Sequence, residues 1–323
     1  MTDTRKPAAV RLRWIAAAAM AVLAVLWPLL SANTFYVTLG TMVVLSMIGA
    51  SSLNLIIRTG HISLAHAAFM GVAAYVCVLL QIHLQWAFVP AMLAGCVASG
   101  LLGLLLGPVV LRLTGKYFVL VTFLLGEIIR MVFLEWRSLT GGANGIENMP
   151  PVPSFIDTPL SFYYFSLFVA VLSIGIVWRI LCSETGRAID AVREADRIAE
   201  CSGIPVIRLK VAMFALACAL VGLQGALQVY LVRGIDPSGF SMEVSLGMVV
   251  MNVLGGMYYL IGPLLGAAFM VALPELLRGY VELQQVIFGI TLIVVMAALP
   301  GGIIDLAAML RRAGARALGR SGS

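Results

Sequence analysis

What most constrains this chain is a near-unbroken succession of apolar runs about 20 residues long, the length that crosses a bilayer core as helix. Candidate spans fall at 14–32, 35–57, 62–82, 86–111, 117–136, 162–182, 209–232, 243–259, 261–279 and 283–300. Hydrophobic residues make up 61% of 323 and the mean hydropathy is +1.03. A soluble domain holds only about 45–50% apolar residues, so no soluble core could hide this excess. The reading is an all-α polytopic membrane protein of about ten transmembrane helices. Glycine is abundant, as close packing of membrane helices requires. Around Gly262-Pro263 a re-entrant or broken element is an alternative to two full spans.

Lys and Arg set the orientation. With the N-terminus in the cytoplasm, 17 of the 21 fall on inside segments and only Arg137, Arg233 and Arg278 outside. Both ends are then cytoplasmic, an arrangement that eight spans would also satisfy. The net charge of +6 is explained by these span-flanking residues and not by a nucleic-acid partner. The organisation is a basic arm at 1–13, a membrane domain at 14–310 and a basic tail at 311–323. The first run reads as a retained anchor, with a cleaved signal as the alternative. The five cysteines are scattered, with no C-x-x-C, and read as packing residues.

One dense island of charge interrupts the apolar pattern at 183–210, with a water-facing loop at 183–208. Residues 187–201 carry helical periodicity. Ala188, Ile189, Ala191, Val192, Ala195, Ile198 and Ala199 gather on one face, and Asp190, Arg193, Glu194, Arg197 and Glu200 on the other. Gly203 suits a left-handed cap and Pro205 blocks continuation, so one amphipathic helix of about four turns is expected. A lipid-surface helix favours bulky anchors and a basic polar face. This face is alanine-rich with balanced charge, which suits a protein partner.

Within the spans, Glu127 and Arg130 lie near the middle of the fifth, three apart and able to pair. They either fix packing or line a path for a zwitterion. Asn54 and Asn252 invite an interhelical hydrogen bond. The stretches that follow them share an order: Asn, a glycine-containing break, then Ala-Ala-Phe-Met, as a loose inverted repeat would. His61 is expected at the cytoplasmic end of the third span and His66 in packing. His61, His66 and His83 do not form a metal motif, and Ser63–His66 lacks an acidic partner, so neither metal nor catalytic residues are assigned. The outer segment 137–161, rich in Gly, Pro and Asn, forms a rim.

Five stretches in order carry a resemblance. They are Gly60–Tyr75 (GHISLAHAAFMGVAAY), Lys116–Arg130 (KYFVLVTFLLGEIIR), Ser138–Ile146 (SLTGGANGI), Gly186–Pro205, which includes AECSGIP, and Asp236–Phe269 (DPSGFSMEVSLGMVVMNVLGGMYYLIGPLLGAAF). Together they resemble the LivM-type permeases, membrane subunits of ABC importers for branched-chain amino acids. The resemblance implies the ten-helix importer fold in a bacterial inner membrane. It also implies a second homologous permease, two cytoplasmic ABC ATPases that hold ATP and Mg, and an extracytoplasmic binding protein. The chain has no Walker A motif, and no cofactor is assigned to it.

On this resemblance Arg187, Asp190, Arg193, Glu194, Arg197, Glu200 and Gly203 belong to the ATPase-coupling surface. Glu127, Arg130, Asn54, Asn252, Tyr258 and Tyr259 belong to the substrate path. Thr140, Gly141, Gly142 and Asn144 belong to the binding-protein rim. Tyr258 and Tyr259 replace a Gly-Ser of the family pattern, the largest departure, which bears on the cargo. Urea, short amides and other amino acids are alternative cargoes. An ATP-independent transporter and an intramembrane enzyme are the competing classes.

Overall fold

The computed structural model describes residues 25–28, 33–147, 149–153 and 156–277, together with 286, 287, 289, 290 and 293. The arm 1–13, the tail 311–323 and most of the spans expected at 14–32 and 283–300 lie outside the described residues. Six helices are long and apolar enough to cross a membrane. They are α1 (Thr34–Ile57), α2 (His66–Leu84), α3 (Phe88–Val110), α4 (Lys116–Glu135), α6 (Pro159–Leu181) and α9 (Val206–Val232). Between them lie α5 (Arg137–Thr140), α7 (Glu184–Glu194) and α8 (Asp196–Cys201); α10 (Met242–Gly255) and α11 (Ile261–Leu276) follow. Among the described residues there is no strand, only an isolated antiparallel bridge between Ile146 and Ile235. This is a membrane-embedded helical protein.

Local signals start the helices. Asn33 caps α1 by accepting from the Phe35 amide. Thr158 and Ser161 form a reciprocal capping box at α6, with Pro159 in the first turn where its missing N–H costs nothing. The span expected at 62–82 departs from its hydropathy reading. Helix α2 begins at His66, and Ile62–Ala65 runs in without helix. Buried backbone in that position needs partners. Thr122 of α4 accepts from the Leu64 amide at 3.2 Å, and Ser245 of α10 accepts from Ala67 at 2.9 Å.

Helix α9 is the centre of the bundle, packed against α3, α2 and α1. Backbones meet closely there: a Cβ on Gly225 would stand 2.2 Å from the Met70 carbonyl oxygen. The Ser99 hydroxyl of α3 lies 3.0 Å from the Phe69 carbonyl and 2.8 Å from that of Cys218, tying three helices at one point. By contrast α3, α4 and α6 present Leu105, Val109, Ile128, Phe168 and Val171 outward, an apolar surface suited to lipid or another subunit.

Helix α10 falls short of the full span expected at 243–259, and the break between it and α11 matches the alternative of a broken element near Gly262-Pro263. The 14 residues of α10 rise about 21 Å, short of a hydrocarbon core of about 30 Å. The break falls at Gly256–Leu260, ahead of Gly262-Pro263, because Gly256 adopts φ +114°, which an L side chain resists. Pro263 then sits in the first turn of α11, where no helical partner is lost. The two helices pack on each other and on α1.

The single helix expected at 187–201 is also corrected. It is two helices, α7 and α8, broken at Ala195, whose φ of −159° and ψ of 100° are extended. The break carries Asp196 onto Lys210, 2.6 Å away. The Lys210 side chain is only 5% exposed, and a buried ammonium without a counter-charge is costly. Gly203 takes the expected left-handed conformation at φ +85°. Ile204 donates to the Ala199 carbonyl and Gly203 to that of Glu200, closing the end of α8.

Candidate functional site

Three groups of polar side chains stand out against the apolar bundle. The first is the intramembrane pair. Arg130 Nε and Nη2 donate to Glu127 Oε2 at 2.9 and 2.7 Å, the i,i+3 pairing that the spacing predicts. Both side chains are about a quarter exposed. Glu127 lines a narrow cleft where α4 meets the start of α2 and of α10, beside Ala68, Ser241, Met242 and Ser245. A carboxylate and a guanidinium that neutralise each other are tolerable at bilayer depth. They also offer complementary partners to a zwitterion that separates them.

The second group is the asparagine pair. Asn54 and Asn252 have no exposed surface, and Asn54 Nδ2 donates to Asn252 Oδ1 at 3.0 Å, the interhelical bond expected. Asn252 Nδ2 reaches the Ala50 and Met248 carbonyls, both at 2.9 Å, so it bridges α1 and α10. Asn54 Nδ2 also reaches the Met257 carbonyl at 2.7 Å, inside the α10–α11 break. Each asparagine precedes a glycine of positive φ, Gly60 and Gly256, and then a helix. Ala-Ala-Phe-Met opens α2 but sits deeper in α11, so the likeness is one of order and not of register.

The third group is the charged segment. Arg187, Asp190, Glu194, Arg197 and Glu200 are exposed, while Ile189, Val192 and Ala199 are buried against Leu55, Met213 and Val206. Two placements depart from the helical-wheel reading. Ile198 is 69% exposed, an outward apolar residue among charges. Arg193 turns inward. Its side chain is 28% exposed, 3.8 Å from Asp190, with its guanidinium 4.7 Å from the centroid of the Tyr258 ring. Tyr258 therefore lies against α7, not beside Glu127. Tyr259 is half-buried in the same break.

Arg58, Lys210 and Asp196 carry no local sequence signal beyond their charge, on the inside segments and in the 183–210 island. Arg58 donates from Nε to Asn54 Oδ1 at 3.1 Å and from Nη2 to the Tyr258 carbonyl at 2.5 Å, and its Nη1 lies 4.0 Å from Asp190. His61, in the segment between α1 and α2, is buried. Its Nδ1 meets the Thr59 carbonyl and its ring stands edge-on to Phe118. Burial first, then the charge of Lys210, holds its pKa below the ordinary 6.5. At the opposite end, the Thr140 hydroxyl reaches the Phe133 and Trp136 carbonyls, and Gly141 and Gly142 both take positive φ. Asn144 lines an open groove with Glu147 beside the Ile146–Ile235 bridge.

Comparison with known proteins adds a family. The model described as "Branched-chain amino acid transport system / permease component" matches residues 35–296. The "High-affinity branched-chain amino acid transport system permease protein LivM" of Salmonella typhimurium is 29% identical over 318 residues, covering 89% of this chain and 74% of that protein. Its Escherichia coli (strain K12) namesake is 29% identical over 319 residues, with the same coverage. No solved structure matches the chain.

Proposed function

The chain belongs to the family of branched-chain amino acid transport permease components, and from that premise we propose that it is the membrane-spanning half of an ATP-driven ABC importer. The observation that carries this reading is α7–α8. It is a folded, charged element between two spans, fixed by the Asp196–Lys210 pair and presenting Ile198 with Arg197 and Glu200. An apolar anchor ringed by charge is the composition of a protein-docking surface. The partner it fits is a cytoplasmic ATPase. ATP and Mg sit on two such ATPases, and this chain does no chemistry of its own.

A second, homologous permease packs against the outward apolar face that includes Ile128, next in sequence to Glu127, and the path runs between the two. A binding protein delivers cargo at the rim around Thr140, Gly141, Gly142 and Asn144. The cargo is a branched-chain amino acid, by analogy with the proteins named LivM, and urea or a short amide is the alternative. The chain crosses a bacterial inner membrane with both ends cytoplasmic, α10 and α11 forming a broken element among its spans, and it carries an inverted repeat whose halves meet at Asn54 and Asn252.

The test is a mild-detergent pull-down from native membranes, comparing the wild-type chain with Ile198→Asp and with Arg197→Glu/Glu200→Lys. The expected result is an ATPase that copurifies with the wild type and is lost from the variants. A chain that carries no ATPase even after cross-linking overturns the importer reading and favours ATP-independent flux.

A further inference from the structure

The contacts of Arg58 and Tyr258 close a circuit between three elements that are far apart in the chain. Arg58 follows directly on α1, and its side chain is 11% exposed. Its guanidinium holds Asn54 of α1, the Tyr258 carbonyl of the α10–α11 break and, at longer range, Asp190 of α7. Arg193 of α7 returns to the same break by stacking on the Tyr258 ring. The break is a tight turn that only glycine allows. Gly256 has φ +114°, and the backbones of Gly255 and Gly262 approach too closely for a Cβ on either. At the far end of α10, Ser241, Met242 and Ser245 line the cleft beside Glu127.

We propose that Arg58 and Tyr258 are positioning residues that transmit movement of α7 to the Glu127 cleft, with α10 as the lever. Displacing α7 pulls on Asp190 and Arg193. Both act on Tyr258, directly or through Arg58, and so on the C-terminal end of α10. A helix is stiff over this length, so its N-terminal end shifts against α2 and α4, where Ser245 holds the Ala67 amide. The coupling therefore runs through a contiguous set of polar contacts with a hinge in it, which is what transmission between distant sites requires. It rests on the importer reading, because an ATPase must move α7.

The experiment uses the complete complex with its ATPases. Ser241→Cys is placed in a chain whose exposed Cys182 and Cys201 are changed to Ser, and maleimide labelling is measured with and without a non-hydrolysable ATP analogue. The readout needs no knowledge of the cargo. The analogue is expected to change the labelling rate in the wild type and in Tyr258→Phe, which keeps the ring. In Tyr258→Leu and Arg193→Gln the change is expected to shrink about three- to fivefold, the scale of one cation–π contact. The double variant should be no worse than the worse single.

Tyr258 is 56% exposed, so truncating it opens no internal cavity, and ATPase recovery in the pull-down confirms an intact complex. A full response in Tyr258→Leu/Arg58→Gln, which breaks both the ring and the carbonyl contacts, with ATPase still bound overturns the lever and leaves the importer reading standing. Single effects that multiply in the Tyr258→Leu/Arg193→Gln double variant also overturn it. Failure of the wild-type chain to bind ATPase removes both.

Discussion

Replacing Asp196 by Asn should loosen α8 more than replacing Lys210 by Met, although each change breaks the same ion pair. Lys210 is 5% exposed and Asp196 43%, at 2.6 Å. Breaking an exposed pair costs about 0–1 kcal/mol, and stripping the partner from a buried charge about 3–5. Asp196 is half solvated, so the change to Asn belongs between these limits, at about 2 kcal/mol. Lys210→Met removes the buried charge itself and leaves an exposed carboxylate in water, at a cost of about 1 kcal/mol or less. The pair joins α8 to the start of α9, so the effect is local. Hydrogen exchange at 196–203 in detergent is the suitable assay, because melting of the whole chain reports the bundle. At about 1.4 kcal/mol per decade, Asp196→Asn should speed opening about 30-fold and Lys210→Met about fivefold or less. Equal effects, or a larger one for Lys210→Met, would refute the claim that the buried ammonium dictates the break at Ala195.

Gly225→Ala and Gly203→Ala should separate clash from strain. The first drives a Cβ to within 2.2 Å of the Met70 carbonyl oxygen, whereas the second meets nothing within 4 Å but is held at φ +85°. Gly225→Ala should cost about 1–3 kcal/mol or more and lower the melting temperature of the bundle, read by size exclusion after heating. Gly203→Ala should cost about 1 kcal/mol and change only exchange in α8. Glu127→Leu leaves Arg130 unpaired in a span and should reduce the folded yield. Glu127→Leu/Arg130→Leu should restore that yield, with transport lost if the pair lines the path. His61 has its pKa held below 6.5 in the folded chain, so above that pH it is neutral folded or unfolded and contributes nothing. Below it the unfolded chain takes up a proton that the folded chain refuses, and stability falls. Acidifying from pH 7 to 5 should therefore lower the wild-type melting temperature more than that of His61→Asn.

The parts of this structure that hydropathy could reveal are those set by solvent. A run such as Val206–Val232 partitions into lipid whatever its neighbours are, and the pairing of Glu127 with Arg130 follows from three residues of helix. The Gly203 cap is equally local. Where a polar contact between distant segments decides the backbone, the local pattern carries no sign of it. Ile62–Ala65 is apolar enough for helix, yet hydroxyls from Thr122 and Ser245 hold the approach to α2 in another form. Asp196 and Lys210 look like two more surface charges until α9 starts at Val206 and buries the lysine. Arg58 reads as one more inside cation because its partners, Asp190 and the Tyr258 carbonyl, lie far along the chain. The same reasoning changes how a mutation at Arg193 must be read. On a helical wheel it belongs with Arg197 and Glu200, and reversing its sign would test docking. In the folded chain it is turned onto Tyr258, so Arg193→Glu would lose uptake by disturbing the α10–α11 break even with every ATPase still bound. Docking is therefore tested at Ile198 and Arg197, and transmission at Arg193.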